Sequence, residues 1–91
     1  MMKDPPHPGE LIGHILEELH VTRSRAAEAL GISRQMLHDI IAGKSAVTAS
    51  TALRLEKALG STADAWLGMQ ANFDLAKARK RKINVVRLVA A

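Results

Sequence analysis

At 91 residues the chain has the length of one domain, and a chain of that size buries only about 60–65% of its unfolded surface. Its composition, 47% hydrophobic and 24% charged, is that of an ordinary globular protein, and the absence of cysteine excludes disulfides and thiolate metal sites. The formal net charge of +4 is unevenly spread: residues 1–76 hold seven Lys/Arg against nine Asp/Glu, whereas residues 77–91 hold six basic residues and no acid.

Residues 1–7 contain two of the three prolines and no periodicity, so a flexible arm is expected there. Pro8 suits the first position of a helix, where its missing N–H costs nothing. Leu11, Ile12, Ile15, Leu16 and Leu19 then form an apolar stripe to about His20. Thr22 is a good cap for a second, shorter helix bearing Ala26, Ala27 and Leu30, which Gly31 ends. Ser33 caps a third helix, closed by Gly43. Thr48 or Ser50 starts a fourth, through Leu53, Leu55 and Leu59 to Gly60. Ser61 with Asp64 resembles a capping box for a fifth, whose stripe is Trp66, Met69, Phe73 and Ala76.

The end of the chain changes character. Lys77, Arg79, Lys80, Arg81 and Lys82 suit a helix C-terminus, where cations meet the negative end of the dipole. The stretch INVVRLV, 83–89, is rich in β-branched residues and favours a strand. A lone strand leaves an unpaired edge, and pairing with the same strand of a second copy through Ile83, Val85, Val86 and Leu88 would close it. The other reading is a tail with no fixed structure. No apolar run follows a basic start, so no secretory leader is expected. Residues 83–91 fall short of the ~20 residues a membrane span needs. The expected fold is therefore all-α, five helices with a short C-terminal strand, divided as an arm at 1–7, a helical domain at 8–78 and a basic tail with a dimerisation strand at 79–91.

The segment GISRQMLHDIIAGK concentrates the functional signal. Leu37, Ile40 and Ile41 make one buried stripe of its helix, and Arg34, Gln35, His38 and Asp39 follow the same spacing on the other side. Two short helices joined through a glycine are the pattern of a helix-turn-helix. In the major groove, Arg pairs bidentately with guanine and Gln with adenine, and Arg34 and Gln35 lie at the helix end that enters the groove in this motif. Arg34, Gln35, His38 and Asp39 are thus candidate base contacts. Arg23, Ser33, Lys44 and Ser45 are candidate phosphate contacts. His38 could equally cover the helix surface, and Lys44 could be a plain turn residue. The acidic face of Glu10, Glu17 and Glu18 reads first as a solvated face, Trp66, Met69 and Phe73 as core, and 77–82 as helix-end solvation.

Residues 22–60 resemble the phage-repressor (XRE-type) helix-turn-helix family, matching its pattern T…A..LGIS…L..I..G and then TALRLEKALG. TADAWLGMQANFDLAKARK, 62–80, and PGELIGHILEEL, 8–19, are similar to the flanking helices of the HigA/VapI-type antitoxins. That resemblance implies a cytoplasmic homodimer that binds double-stranded operator DNA and represses its own operon, with two recognition helices roughly 34 Å apart over a palindromic site. It also implies a partner, a HigB-like ribonuclease toxin that cuts messenger RNA at the ribosome. The family often has Gln where this chain has Arg23, a larger apolar residue at Ala26, and Asn at Ala42. Asp39 falls at a position that often contacts a base; a carboxylate there can accept from cytosine N4 but repels phosphate.

Two other functions fit the same residues: a stand-alone repressor without a toxin, and a protein-interaction module using the helix pair as scaffold. Catalysis needs an activated nucleophile, an acid/base pair or a metal in a pocket. With no Cys or Tyr, no glycine-rich phosphate loop and little aromatic material, no enzymatic activity and no cofactor are expected. His14 and His20 fall on different faces of the first helix, so no metal is expected either.

Overall fold

Helix boundaries follow from capping chemistry at almost every junction. In the computed structural model, which describes residues 4–90, the chain forms α1 (Pro8–Glu18), α2 (Arg23–Leu30), α3 (Arg34–Ile41), α4 (Ala49–Leu59) and α5 (Ala63–Arg79). The hydroxyls of Thr22, Ser33, Thr48 and Thr62 each accept from the backbone N–H three residues on, satisfying one of the orphan donors of the helix they precede. Pro8 opens α1 as expected.

Three local expectations are corrected. α1 stops at Glu18 rather than near His20, because His20 turns into the left-handed region at φ 54°. The cap of α5 is Thr62, not Ser61. Ser61 is itself left-handed at φ 60°, directly after Gly60 at φ 95°, and the carboxylate of Glu56 takes the Ala63 N–H at 2.7 Å. The loose arm expected over 1–7 does not extend to His7, which is buried with its ring nitrogen capping α1; residues 1–3 lie outside the described residues.

The core is built from every helix. Ile12 and Leu16 of α1, Ala26, Ala27 and Leu30 of α2, Leu37 and Ile40 of α3, Ala52 and Leu55 of α4, and Ala63 and Trp66 of α5 are buried together, with Val47 from the loop before α4. Trp66 fills the largest share, and its indole N–H donates to the Gly60 carbonyl at 3.1 Å, so the ring is buried with its one polar atom satisfied. Met69 and Phe73 are half-buried, so the expected α5 stripe is only partly core. Leu11 and Leu19, expected on the buried stripe of α1, are exposed instead.

α3 lies against α1 and α2, and its seat is set by close backbone approach. Gly9 packs so tightly that a Cβ there would stand 1.9 Å from the Ile40 carbonyl oxygen. Only glycine fits between the two helices at that point.

The expected C-terminal strand is absent among the described residues. After Lys80 the chain runs without regular structure, and Ile83, Val85, Val86 and Leu88 are all exposed, Leu88 by 95%. A strand requires a backbone ladder with a neighbour, and a single chain offers this segment none. The radius of gyration is 15.8 Å, against about 12 Å for a compact chain of this length, consistent with an end that packs on nothing.

Two glycine substitutions should move stability in opposite directions. Gly9→Ala forces α1 away from α3 and is expected to cost about 1–3 kcal/mol. Gly68→Ala, in α5 with open space around it, should gain about 0.5–1 kcal/mol through helix propensity. Urea denaturation of both variants checks the pair; equal effects would contradict the close approach at Gly9.

Candidate nucleic-acid interface

An isolated eight-residue helix is not stable in water, so α3 exists because its apolar side is taken up by the core. Leu37 and Ile40 are each 1% exposed, and burial on that scale contributes about 1.5–3 kcal/mol per side chain. With that stripe inward, Arg34, Gln35 and His38 face solvent and Asp39 is half-buried.

The connection from α2 to α3 is a tight, hydrogen-bonded turn. Gly31 adopts φ 72°, its N–H bonds back to α2, and the Ile32 N–H donates to the Ala27 carbonyl at 3.1 Å, the pattern of a Schellman motif. Arg54, reaching from α4, donates to the carbonyls of Leu30 at 2.9 Å and Gly31 at 3.3 Å. It closes the C-terminal end of α2 from outside and fixes the angle at which α3 departs. Sequence reading placed nothing on Arg54, because a bond across 24 positions leaves no local pattern.

Three of the four candidate base contacts sit together with Arg23, a candidate phosphate contact. Arg23, Arg34, Gln35 and His38 line one shallow open depression. Arg23 Nη1 lies 3.1 Å from His38 Nδ1. A guanidinium only donates, so Nδ1 accepts, and the ring's proton is on Nε2. Gln35 Nε2 donates to Asp39 Oδ1 at 2.9 Å, which leaves the amide in a single orientation. Asp39 therefore points along its own helix to Gln35.

The candidate phosphate contacts divide between the two ends of α3. Ser33 Oγ accepts from the Met36 N–H at 3.0 Å as the helix cap, with its hydroxyl proton still able to donate. Arg23 is at the same end. Lys44 and Ser45 lie past the other end, roughly 12 Å away along eight residues of helix. Their backbone N–H groups are already used: both donate to the Asp39 carbonyl, at 2.8 and 3.1 Å. What they present outward is side chain, an exposed ammonium and a half-buried hydroxyl. Beyond them Val47 N–H donates to Gln70 Oε1 of α5 at 2.8 Å, and Gln70 Nε2 is taken by Asp74 at 3.0 Å. Gln70 is a second residue that sequence reading passed over, although a polar side chain four positions after Trp66 falls on the buried side of α5.

Comparison with known proteins places this geometry. The Helix-turn-helix family model matches residues 12–66. Virulence-associated protein A′ of Dichelobacter nodosus is 39% identical over 89 residues, covering 97% of this chain and 77% of that protein. An addiction module antidote protein of a HigA family from Coxiella burnetii superposes with a TM-score of 0.82 at 35% identity, over 86% of each chain. The Pseudomonas aeruginosa antitoxin HigA, solved with the higBA promoter, superposes with a TM-score of 0.79 at 30% identity, over 84% of each chain.

Removing the Arg54 clamp should loosen the turn. Arg54→Met keeps the aliphatic stem and is expected to lower unfolding free energy by about 1–2 kcal/mol, with faster amide hydrogen exchange at Gly31 and Ile32. Unchanged exchange at those two amides would contradict the clamp.

Proposed function

The chain belongs to the helix-turn-helix family, within the XRE-type group that contains the HigA antitoxins, and from that premise we propose that it is an operator-binding antitoxin. In this reading it binds its own promoter as a cytoplasmic homodimer, represses its operon and neutralises a HigB-like ribonuclease by direct binding. The observation that carries the DNA half is the tip of α3: Arg34 and a pre-oriented Gln35, side by side and exposed, on a helix whose opposite face is locked into the core. The solved HigA relative with its promoter supports the same reading.

The residues divide the work by chemistry. Arg34 offers guanine O6 and N7 a bidentate fork. Gln35 spends one amide hydrogen on Asp39, and its remaining N–H and its oxygen match adenine N7 and N6. Asp39 acts here by holding Gln35 rather than by touching a base itself. His38, with its proton on Nε2, is a donor toward a base or phosphate acceptor. Arg23 and Ser33 at one end of α3, and Lys44 and Ser45 at the other, are separated by about the ~12 Å width of the major groove and meet the phosphates on its two sides. Arg and Lys supply charge neutralisation there, and counterion release makes that contribution salt-dependent.

The dimer forms through residues 83–89. Ile83, Val85, Val86 and Leu88 present apolar side chains to water in one chain, and antiparallel pairing with the same segment of a second copy gives both backbones a ladder and both apolar rows a partner. That two-fold axis matches a palindromic operator.

A mobility-shift titration on the promoter DNA tests the reading head. Arg34→Ala and Gln35→Ala should each weaken operator binding by about 1–3 kcal/mol. Arg23→Ala should make the log–log salt dependence shallower by about 0.9. Asp39→Ala should relax the preference at the adenine read by Gln35 and leave the guanine preference intact. Unchanged operator affinity in the Arg34 and Gln35 variants removes the proposal. Val86→Asp should convert the dimer to monomer in light scattering without loss of helix. Co-purification with a small basic protein encoded next door supports the antitoxin role, and its absence leaves a stand-alone repressor.

A further inference from the structure

The most buried titratable side chain near the proposed interface is one that DNA recognition does not use. His7 precedes α1 and is 6% exposed. Its Nδ1 accepts from the Gly9 N–H at 2.9 Å, and the backbone of Ser45 lies close enough to the ring to raise its proton affinity. With Nδ1 accepting, the proton is on Nε2. The ring also stands edge-on to Phe73 of α5, centroids 5.0 Å apart, and a Cβ added at Gly43 would stand 3.7 Å from it. One imidazole thus joins the start of α1, the loop after α3 and the middle of α5.

That loop carries Lys44 and Ser45. We propose that His7 is a positioning residue for DNA binding: its neutral imidazole, bonded to the Gly9 N–H and packed between Phe73 and the loop after α3, holds the 43–45 loop where Lys44 and Ser45 meet the DNA backbone. This rests on the DNA-binding reading above. The loop's other ties, Lys44 and Ser45 N–H to the Asp39 carbonyl and Val47 N–H to Gln70, involve no group that titrates near neutral pH. His7 is the tie that a proton can break. A proton on Nδ1 turns the acceptor facing the Gly9 N–H into a donor, two donors cannot share that contact, and the charged ring must leave its seat beside the loop.

The surroundings set the direction. Burial lowers the ring's proton affinity below its ordinary 6.5, opposed by Asp74 of α5, by the Ser45 backbone and by Glu10 of α1. Asp4, paired with Lys80 at 2.6 Å, also borders this site, and Lys44 is the loop's own cation. Because the folded chain binds this proton less readily than the unfolded chain, the latch's stabilisation is fully present above pH 6.5 and is lost as pH falls through the lower folded value.

Two measurements on the full chain test this. Without DNA, the amide signals of Lys44 and Ser45 should shift with the same midpoint as the His7 ring, below its ordinary 6.5. In His7→Asn, which retains a cap acceptor, that step should vanish. Amides that ignore the His7 midpoint overturn the latch. With promoter DNA, His7→Asn should weaken binding about 3–10-fold and flatten the log–log salt slope by about one phosphate contact, while discrimination against a scrambled duplex is kept. Thr62→Ala, a comparable cap loss on α5, should leave the slope alone. An unchanged slope in His7→Asn, or an equal change in Thr62→Ala, overturns the positioning role. If the wild-type chain binds no DNA, the DNA reading fails by itself, and the amide titration still decides the latch.

Discussion

The burial of Leu37 and Ile40 decides the rest of this structure. Eight residues cannot hold a helix by their own hydrogen bonds, so α3 is helical only while those two side chains are in the core. The same burial fixes its rotation: with one stripe inward, the side chains of Arg34, Gln35 and His38 have no direction left but outward. Gly9 enforces the depth. Its missing side chain lets the backbone of α1 close onto the Ile40 carbonyl, and any larger residue would lift α3 off its seat.

A seated helix still needs its ends defined, and here polar side chains from distant parts of the chain supply the definition. Arg54 of α4 closes the turn that leads into α3. Gln70 of α5 holds the loop that leads out of it, and His7 before α1 packs beside that loop. Each bonds backbone atoms, which fixes chain path rather than side-chain identity. The exposed face between these ties carries its own small order: Asp39 aligns Gln35, and His38 aligns Arg23. Such pre-orientation lowers the conformational entropy lost on binding.

Much of this was legible beforehand because it is local. Thr22 and Ser33 cap the helices they were expected to cap, Gly31 ends α2 in the left-handed conformation, and the apolar stripe of α3 is buried as its spacing implied. The misreadings have separate causes. Ser61 and Thr62 offer the same hydroxyl one position apart, and only the reversal at Gly60 selects the second. His7 looked like part of a loose arm because its partners, Ser45 and Phe73, are far away in sequence. The 83–89 segment has strand-forming side chains, but a strand also needs a neighbour, and no pattern within one chain supplies it.

The central claim is that the outward face of α3, framed by its two anchored ends, is the surface that meets DNA. Nuclear magnetic resonance mapping of the chain titrated with a duplex of its own promoter tests this most directly. The account requires the largest amide and side-chain shifts at Ser33, Arg34, Gln35, His38 and Lys44, with the outer faces of α4 and α5 silent. Shifts centred on Leu53, Lys57 or Asp64, with the tip of α3 unmoved, would contradict it.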